Sequence, residues 1–211
     1  MARGFKKRHG AYVAKLDAVE RGLVVGLMEQ VRELVEPAPV ASADEVPEGG
    51  GDEFDRIVAG LGGIGQGVSL AADDQVQLAG GVPAPRDPAL DRIFPTANRE
   101  DDQIAAEFRQ LTEQGLRARK TANLDTAIDA LAHLEDQKVS LDQAQAVALV
   151  IALTDVRLVL GERLGLKQDD DLDLIEEQVS SLEEDDPAVY ALAVYDFLTW
   201  LQETLAHALA P

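Results

Sequence analysis

Cysteine is absent from all 211 residues. That removes disulfides, thiolate catalysis, Cys-ligated zinc and thiol redox sensing by the chain itself. Aromatics are scarce, at 4% against 46% apolar residues overall, so the core is expected to be aliphatic and Ala-rich, a composition that suits packed helices better than a large sheet. Long apolar runs are missing too. The longest, Ala146 to Leu153, has eight residues, whereas a bilayer-crossing helix needs about 20. No apolar stretch follows the basic opening MARGFKKRHG, so no secretion signal is expected there, and a soluble, cytoplasmic protein with no membrane association is. Basic residues are in short supply: nineteen Lys and Arg face thirty-nine Asp and Glu, for a net charge of -20. A surface of that sign repels phosphate backbones and anionic lipid, which disfavours direct nucleic-acid binding by the molecule as a whole.

What is present points to a mainly α fold: a single-domain helical bundle with a small N-terminal β-hairpin and a possible third short strand. Gly4 to Arg8, a turn at His9-Gly10, and the alternation of Tyr12, Ala14 and Leu16 against Val13 and Lys15 give the hairpin. Asp17 and Glu20 have capping-box spacing ahead of a helix over 18–36, with Val19, Leu23, Leu27, Val31 and Leu34 as its apolar face, ended before Pro37. Residues 37–87 are rich in Gly and Pro and read as a flexible loop region with a short helix near Asp52 to Leu61. Pro88 to Phe94 is a short helix. Glu100, Asp101 and Asp102 open a long one that buries Ile104, Phe108, Leu111 and Gly115 or Leu116, carries Arg117, Arg119 and Lys120 at its end, and breaks near Asn123 before continuing to Leu134. Lys138 to Leu141 is the candidate third strand beside the hairpin. Asp142 caps a helix over 143–165, apolar almost all round and therefore central. Asp186-Pro187 starts the last helix, which buries Val194, Leu198, Leu201, Leu205 and Leu209.

Charge is divided between the ends. Residues 1–32 hold seven Lys or Arg and three acids, net +4; residues 168–211 hold twelve acids and no Lys or Arg, net -12.

Several motifs imitate chemistry and fail on context. Gly60, Gly62 and Gly65 match G-x-G-x-x-G, but only Ile57, Val58 and Ala59 precede them as a strand, and no second strand ending in an acid follows. The same stretch nearly matches a hydrolase elbow around Ser69, and two unrelated motifs on one Gly-rich segment indicate composition rather than function. Asp169, Asp171 and Asp173 occupy the first, third and fifth places of a calcium loop, yet Leu174 stands where Gly is needed and Ser180 where a bidentate Glu is needed. His9, His133 and His207 are dispersed without ligand spacing. No catalytic, cofactor or metal residues are therefore expected, and no enzyme, although a site assembled only in three dimensions, possibly around the Gly-rich loop, stays open as the alternative. Two basic groups are the candidate partner-binding residues: Arg3, Lys6, Lys7 and Arg8 on the hairpin, and Arg117, Arg119 and Lys120 on the long helix. Each also has a plain structural explanation, the first as a protected edge strand and the second, with Arg109, as dipole compensation and ion pairing with the acidic C-terminal third. Direct DNA binding through the basic hairpin is a further alternative. Tyr190, Phe197 and Trp200 are expected as core or helix-packing aromatics.

The segments ARGFKKR, AYVAKLDAVERGLVVGLMEQVRELVE, AAEFRQLTEQGLRARK, KVSLDQAQAVALVIALTDVRLVLGERLG and ALAVYDFLTWLQETL, in this order across nearly the whole chain, resemble the actinobacterial AosR family. That family was long known as a domain of unknown function, and its name denotes an oxidative stress regulator. The resemblance implies a non-enzymatic regulator acting on transcription through a protein partner, such as a sigma factor or another part of the polymerase machinery. A homo-oligomer is compatible with it. Without cysteine, either thiol sensing falls to the partner or this member of the family does a different job.

Overall fold

The computed structural model describes residues 2–36, 86–97, 101–134, 136–167, 171, 179 and 186–210. The Gly-rich 60–69 stretch, the expected short helix near Asp52 and most of the acidic 168–185 segment lie outside them. The described elements run β1 (Arg3–Arg8), β2 (Ala11–Lys15), α1 (Ala18–Val35), α2 (Pro88–Ile93), α3 (Asp102–Ala132), β3 (Lys138–Leu141), α4 (Gln143–Arg163) and α5 (Pro187–Leu209). The fold is mainly helical with one three-stranded antiparallel sheet, order β1-β2-β3.

Helix starts follow from local chemistry. Asp17 accepts from the Val19 and Glu20 amides while Glu20 Oε2 accepts the Asp17 amide at 2.8 Å, so two otherwise orphaned donors are satisfied reciprocally. Asp142 and Gln145 repeat the device at α4. Asp87-Pro88 and Asp186-Pro187 place an acceptor at the cap and a pre-set φ at the first helical residue. Gly165, at φ 78°, lets the chain leave α4, and its neighbour Leu166 donates its amide to the Gly161 carbonyl.

α4 is the central element, touching α1, α2, α3, α5 and the sheet. Ala146, Leu149, Ala152, Leu153, Val156 and Leu160 are all fully buried along it. It is the one described helix with the length and hydropathy to cross a bilayer, and its place at the middle of the bundle accounts for that apolar character. The sheet lies at one side, its inner face (Phe5, Tyr12, Ala14, Val139, Leu141) in the same core. Helix α5 closes over β1: Phe5 donates its amide to Thr204 Oγ1 at 3.1 Å, and Gly4 lies so near that a Cβ there would meet Thr204 at 2.5 Å. Glycine at position 4 is what allows that approach.

Three expectations about faces are corrected. On α1 Leu27 and Val31 are buried as expected and Leu23 and Leu34 pack partly buried against the core, but Val24, Met28 and Val35 are buried too and Val19 is 81% exposed, so the centre of the core stripe is rotated from the predicted one. On α3 the predicted apolar face points outward: Phe108 is 51% and Leu111 84% exposed, with Ile104 and Leu116 exposed as well. The helix packs instead through its second half, by Leu124, Ala127 and Leu131. It also runs unbroken past Asn123, so Arg117, Arg119 and Lys120 sit in mid-helix and cannot compensate a C-terminal dipole. On α5 the face is as expected through Leu205, but Tyr190 and Trp200 are exposed, with Phe197 half-buried and its ring 6.0 Å from that of Trp200.

Candidate anion-binding face

The two predicted basic groups meet different fates. In α3, Arg117 is consumed by structure. It bonds Glu113 through Nε and Nη2, donates to the Val35 carbonyl at 2.6 Å, and stacks its guanidinium 4.9 Å from the Phe94 ring, so one side chain joins the end of α1, α3 and the residue after α2. Burial pushes the Glu113 carboxyl up, but hydrogen bonds from Arg117 and Arg86 outweigh it and hold the group below the usual carboxylate range. Lys120 donates to Asp155 at 2.6 Å. Asp155 is 1% exposed, and burial raises its pKa against the pull of that ammonium. Arg117 is paired within its own helix, with Glu113, and Lys120 with Asp155 of α4, in the C-terminal third; among the described residues neither pairs with the acids of 168–211. Arg119 is exposed on α3.

The hairpin cations are brought together. Between Arg3 and Lys6 the β1 ladder carries one extra residue, pairing Arg3 with Lys15 but Lys6 with Val13. Residues three apart on a regular strand face opposite ways; the bulge turns both Arg3 and Lys6 outward. Across β2 and β3, Lys15 pairs with Lys138 and Val13 with Ser140. Arg3, Lys15 and Lys138 therefore form one cross-strand row, Lys6, Val13 and Ser140 the next, and Arg8 stands beside Ala11. Arg3, Lys6, Arg8, Lys15 and Lys138 are all exposed and line a shallow groove of about 430 Å³ on the outer face. Lys7 is on the other face, its Nζ 5.6 Å from the Tyr12 ring, whose hydroxyl donates to Gln143.

The sheet strands contain six cations and no acid, and among the described residues none of the six is in an ion pair. Like charges directly opposite one another destabilise a sheet, so this row costs stability in the free protein. Lys15 and Lys138 were not singled out as site residues; the signal was the proposed pairing of 138–141 with the hairpin, whose antiparallel register sets them side by side.

A second surface is apolar. Phe94, Phe108 and Leu116 line a cavity of about 270 Å³ between α2 and the first half of α3, with Arg109, Glu113 and Lys120 on its walls. Among the described residues no group of three or more His, Asp or Glu converges to hold a metal ion.

The fold and its surface thus define a mainly helical protein with a small antiparallel sheet that exposes a concentrated positive face on an acidic body. Over residues 2–209 the chain matches the family described as domain of unknown function DUF2017, and it belongs to that family. No curated protein and no solved structure matches it.

Proposed function

We propose that this protein is a regulatory interaction module without chemistry of its own, and that it engages an acidic region of a protein partner with the outer face of its sheet. The observation that carries the reading is the uncompensated row Arg3, Lys15, Lys138 on a molecule of net charge -20. Among the described residues no carboxylate pairs with any of these three cations. The resemblance to the AosR family supports a finer version: a cytoplasmic regulator of the oxidative stress response whose partner is a sigma factor or another transcription component. The missing cysteines assign the redox trigger to that partner.

Nucleic acid is the less suitable counterpart. The outer face offers Val13, Ala11 and Ser140 between its cations and no aromatic ring on which a base could stack, and the rest of the molecule repels phosphate. The test is co-precipitation from an actinobacterial lysate at low salt, comparing the tagged wild type with a Lys6→Glu, Lys15→Glu, Lys138→Glu variant. Recovery of polymerase or sigma subunits by the wild type alone is expected. Equal recovery by both proteins, or no transcription component with either, overturns the reading.

A further inference from the structure

The positive face ends at β3, a strand edge that no other strand covers among the described residues, and the register shows which backbone groups that edge presents. Leu16 donates its amide to the Gln137 carbonyl at 2.8 Å, one step beyond the Lys15–Lys138 pair. The carbonyl of Gln137 therefore points at β2. Because backbone direction alternates along an antiparallel strand, Val139 and Leu141 also turn their amides and carbonyls toward β2, while Lys138 and Ser140 turn theirs away. Those four outward groups have no hydrogen-bond partner among the described residues, whereas the opposite edge of the sheet, at β1, is covered by α5 through the Phe5–Thr204 bond. The side chains of Lys138 and Ser140 are exposed on the outer face of the same edge.

From this juxtaposition we infer that β3 accepts a fourth strand: an extended acidic segment of a protein partner adds to the edge at Lys138 and Ser140, placing one carboxylate in line with the Lys138, Lys15, Arg3 row and the next outward-facing one beside Ser140. This deepens the reading given above and rests on it. Backbone bonds to Lys138 and Ser140 supply affinity without regard to sequence, Lys138 selects an acid at the position opposite it, and the hydroxyl of Ser140 accommodates a second acid two residues along. The residues between those acids lie on the inner side, beside Val139 and Leu141, so small apolar or Thr side chains suit them. Lysine on the edge strand also suppresses pairing with the strands of like-charged copies of this chain, which leaves the edge free for an oppositely charged one.

The experiment uses the full chain and acetylated eight-residue peptides in which Glu alternates with Val and Thr. The parent peptide is compared with a version N-methylated at alternate residues, which keeps every charge but removes the edge-facing donors, and with an all-Glu peptide. Binding is read by fluorescence anisotropy at low salt. We expect N-methylation to weaken binding by about tenfold or more, the loss of one or two backbone hydrogen bonds. Ser140→Pro deletes an outward amide without touching the β2 ladder and is expected to do the same; the N-methylated peptide gives the answer on unaltered protein should that variant fold poorly. Lys138→Glu is expected to weaken the parent peptide at least as much. Equal affinity for the parent and N-methylated peptides sinks strand addition and leaves the anion-binding face standing. No binding of any acidic peptide sinks both. Tighter binding of a single-stranded DNA octamer than of the parent peptide overturns the choice of partner.

Discussion

A side chain's burial on an amphipathic helix turns on a rotation of a few tens of degrees, and α1 shows what that rotation costs a reading by spacing alone. Val19 and Val24 are the same residue type on the same helix, yet one is 81% exposed and the other fully buried. Val19→Lys is expected to change stability by less than about 0.5 kcal/mol, and Val24→Ala to cost about 2 kcal/mol, both by urea denaturation. The Lys120–Asp155 pair offers a test with a defined sign in pH. Removing the ammonium in Lys120→Met leaves a buried carboxylate unpaired, at a cost of about 3 kcal/mol at neutral pH. Asp155 already has a raised pKa in the folded chain, and without Lys120 it rises further, so the folded state takes up a proton more readily than the unfolded one. The deficit of the variant should therefore shrink as pH falls through that folded pKa. Glu113 and Asp87 act in the opposite sense. Their carboxyls are only partly buried and are held below the usual range by Arg117 with Arg86 and by Arg163, so the stability they contribute is present above about pH 4 and is lost as pH falls below it. A urea midpoint in Lys120→Met that lags the wild type by the same margin all the way from pH 7 down to the ordinary carboxylate range, about pH 4, would contradict the role given to Asp155.

Elements were legible in the sequence where a backbone rule fixes them. Asp17 with Glu20, Asp142, Asp87-Pro88 and Asp186-Pro187 mark helix starts through bonds within three residues, and each appears in the structure at that place. Faces were less legible, because they depend on neighbours remote in sequence. Helix α3 is the clearest case: Ile104, Phe108 and Leu111 have ideal helical spacing for a core, but α4 and α1 reach only its second half. The candidate site was half legible. Arg3, Lys6 and Arg8 stood out as a run, whereas Lys15 and Lys138 join them only through the β2–β3 register, and the bulge that turns Arg3 outward leaves no mark in a pattern of alternation. The contact of β1 with α5 makes its own prediction. Gly4→Ala should push Thr204 away and cost about 1–3 kcal/mol, seen as a lower thermal midpoint with faster hydrogen exchange at the Phe5 amide.

At the scale of the whole molecule, charge is sorted rather than mixed. A positive sheet lies on a body of net charge -20, and long-range attraction within it is screened beyond about 8 Å at physiological salt. Repulsion along the Arg3, Lys15, Lys138 row acts at contact range and is less easily screened. Lys15→Glu converts two like-charge neighbours into two opposite pairs and is expected to raise stability by roughly 0.5–1 kcal/mol while weakening capture of an acidic peptide several-fold. Increased stability with undiminished binding would show that the row is not the docking surface.

The order in which the sheet acquires its supports has a consequence for synthesis. Residues 3–15 are made well before their supports: their third strand is 123 residues beyond Lys15, and the Thr204 that receives the Phe5 amide comes 199 residues after Phe5. At about 5–20 residues per second, the hairpin waits on the order of ten seconds or more for the rest of its own structure. A two-stranded ribbon is marginal alone in water, so the hairpin, made ahead of its supports, is among the last elements to become rigid, and its cations stand in the open throughout that interval.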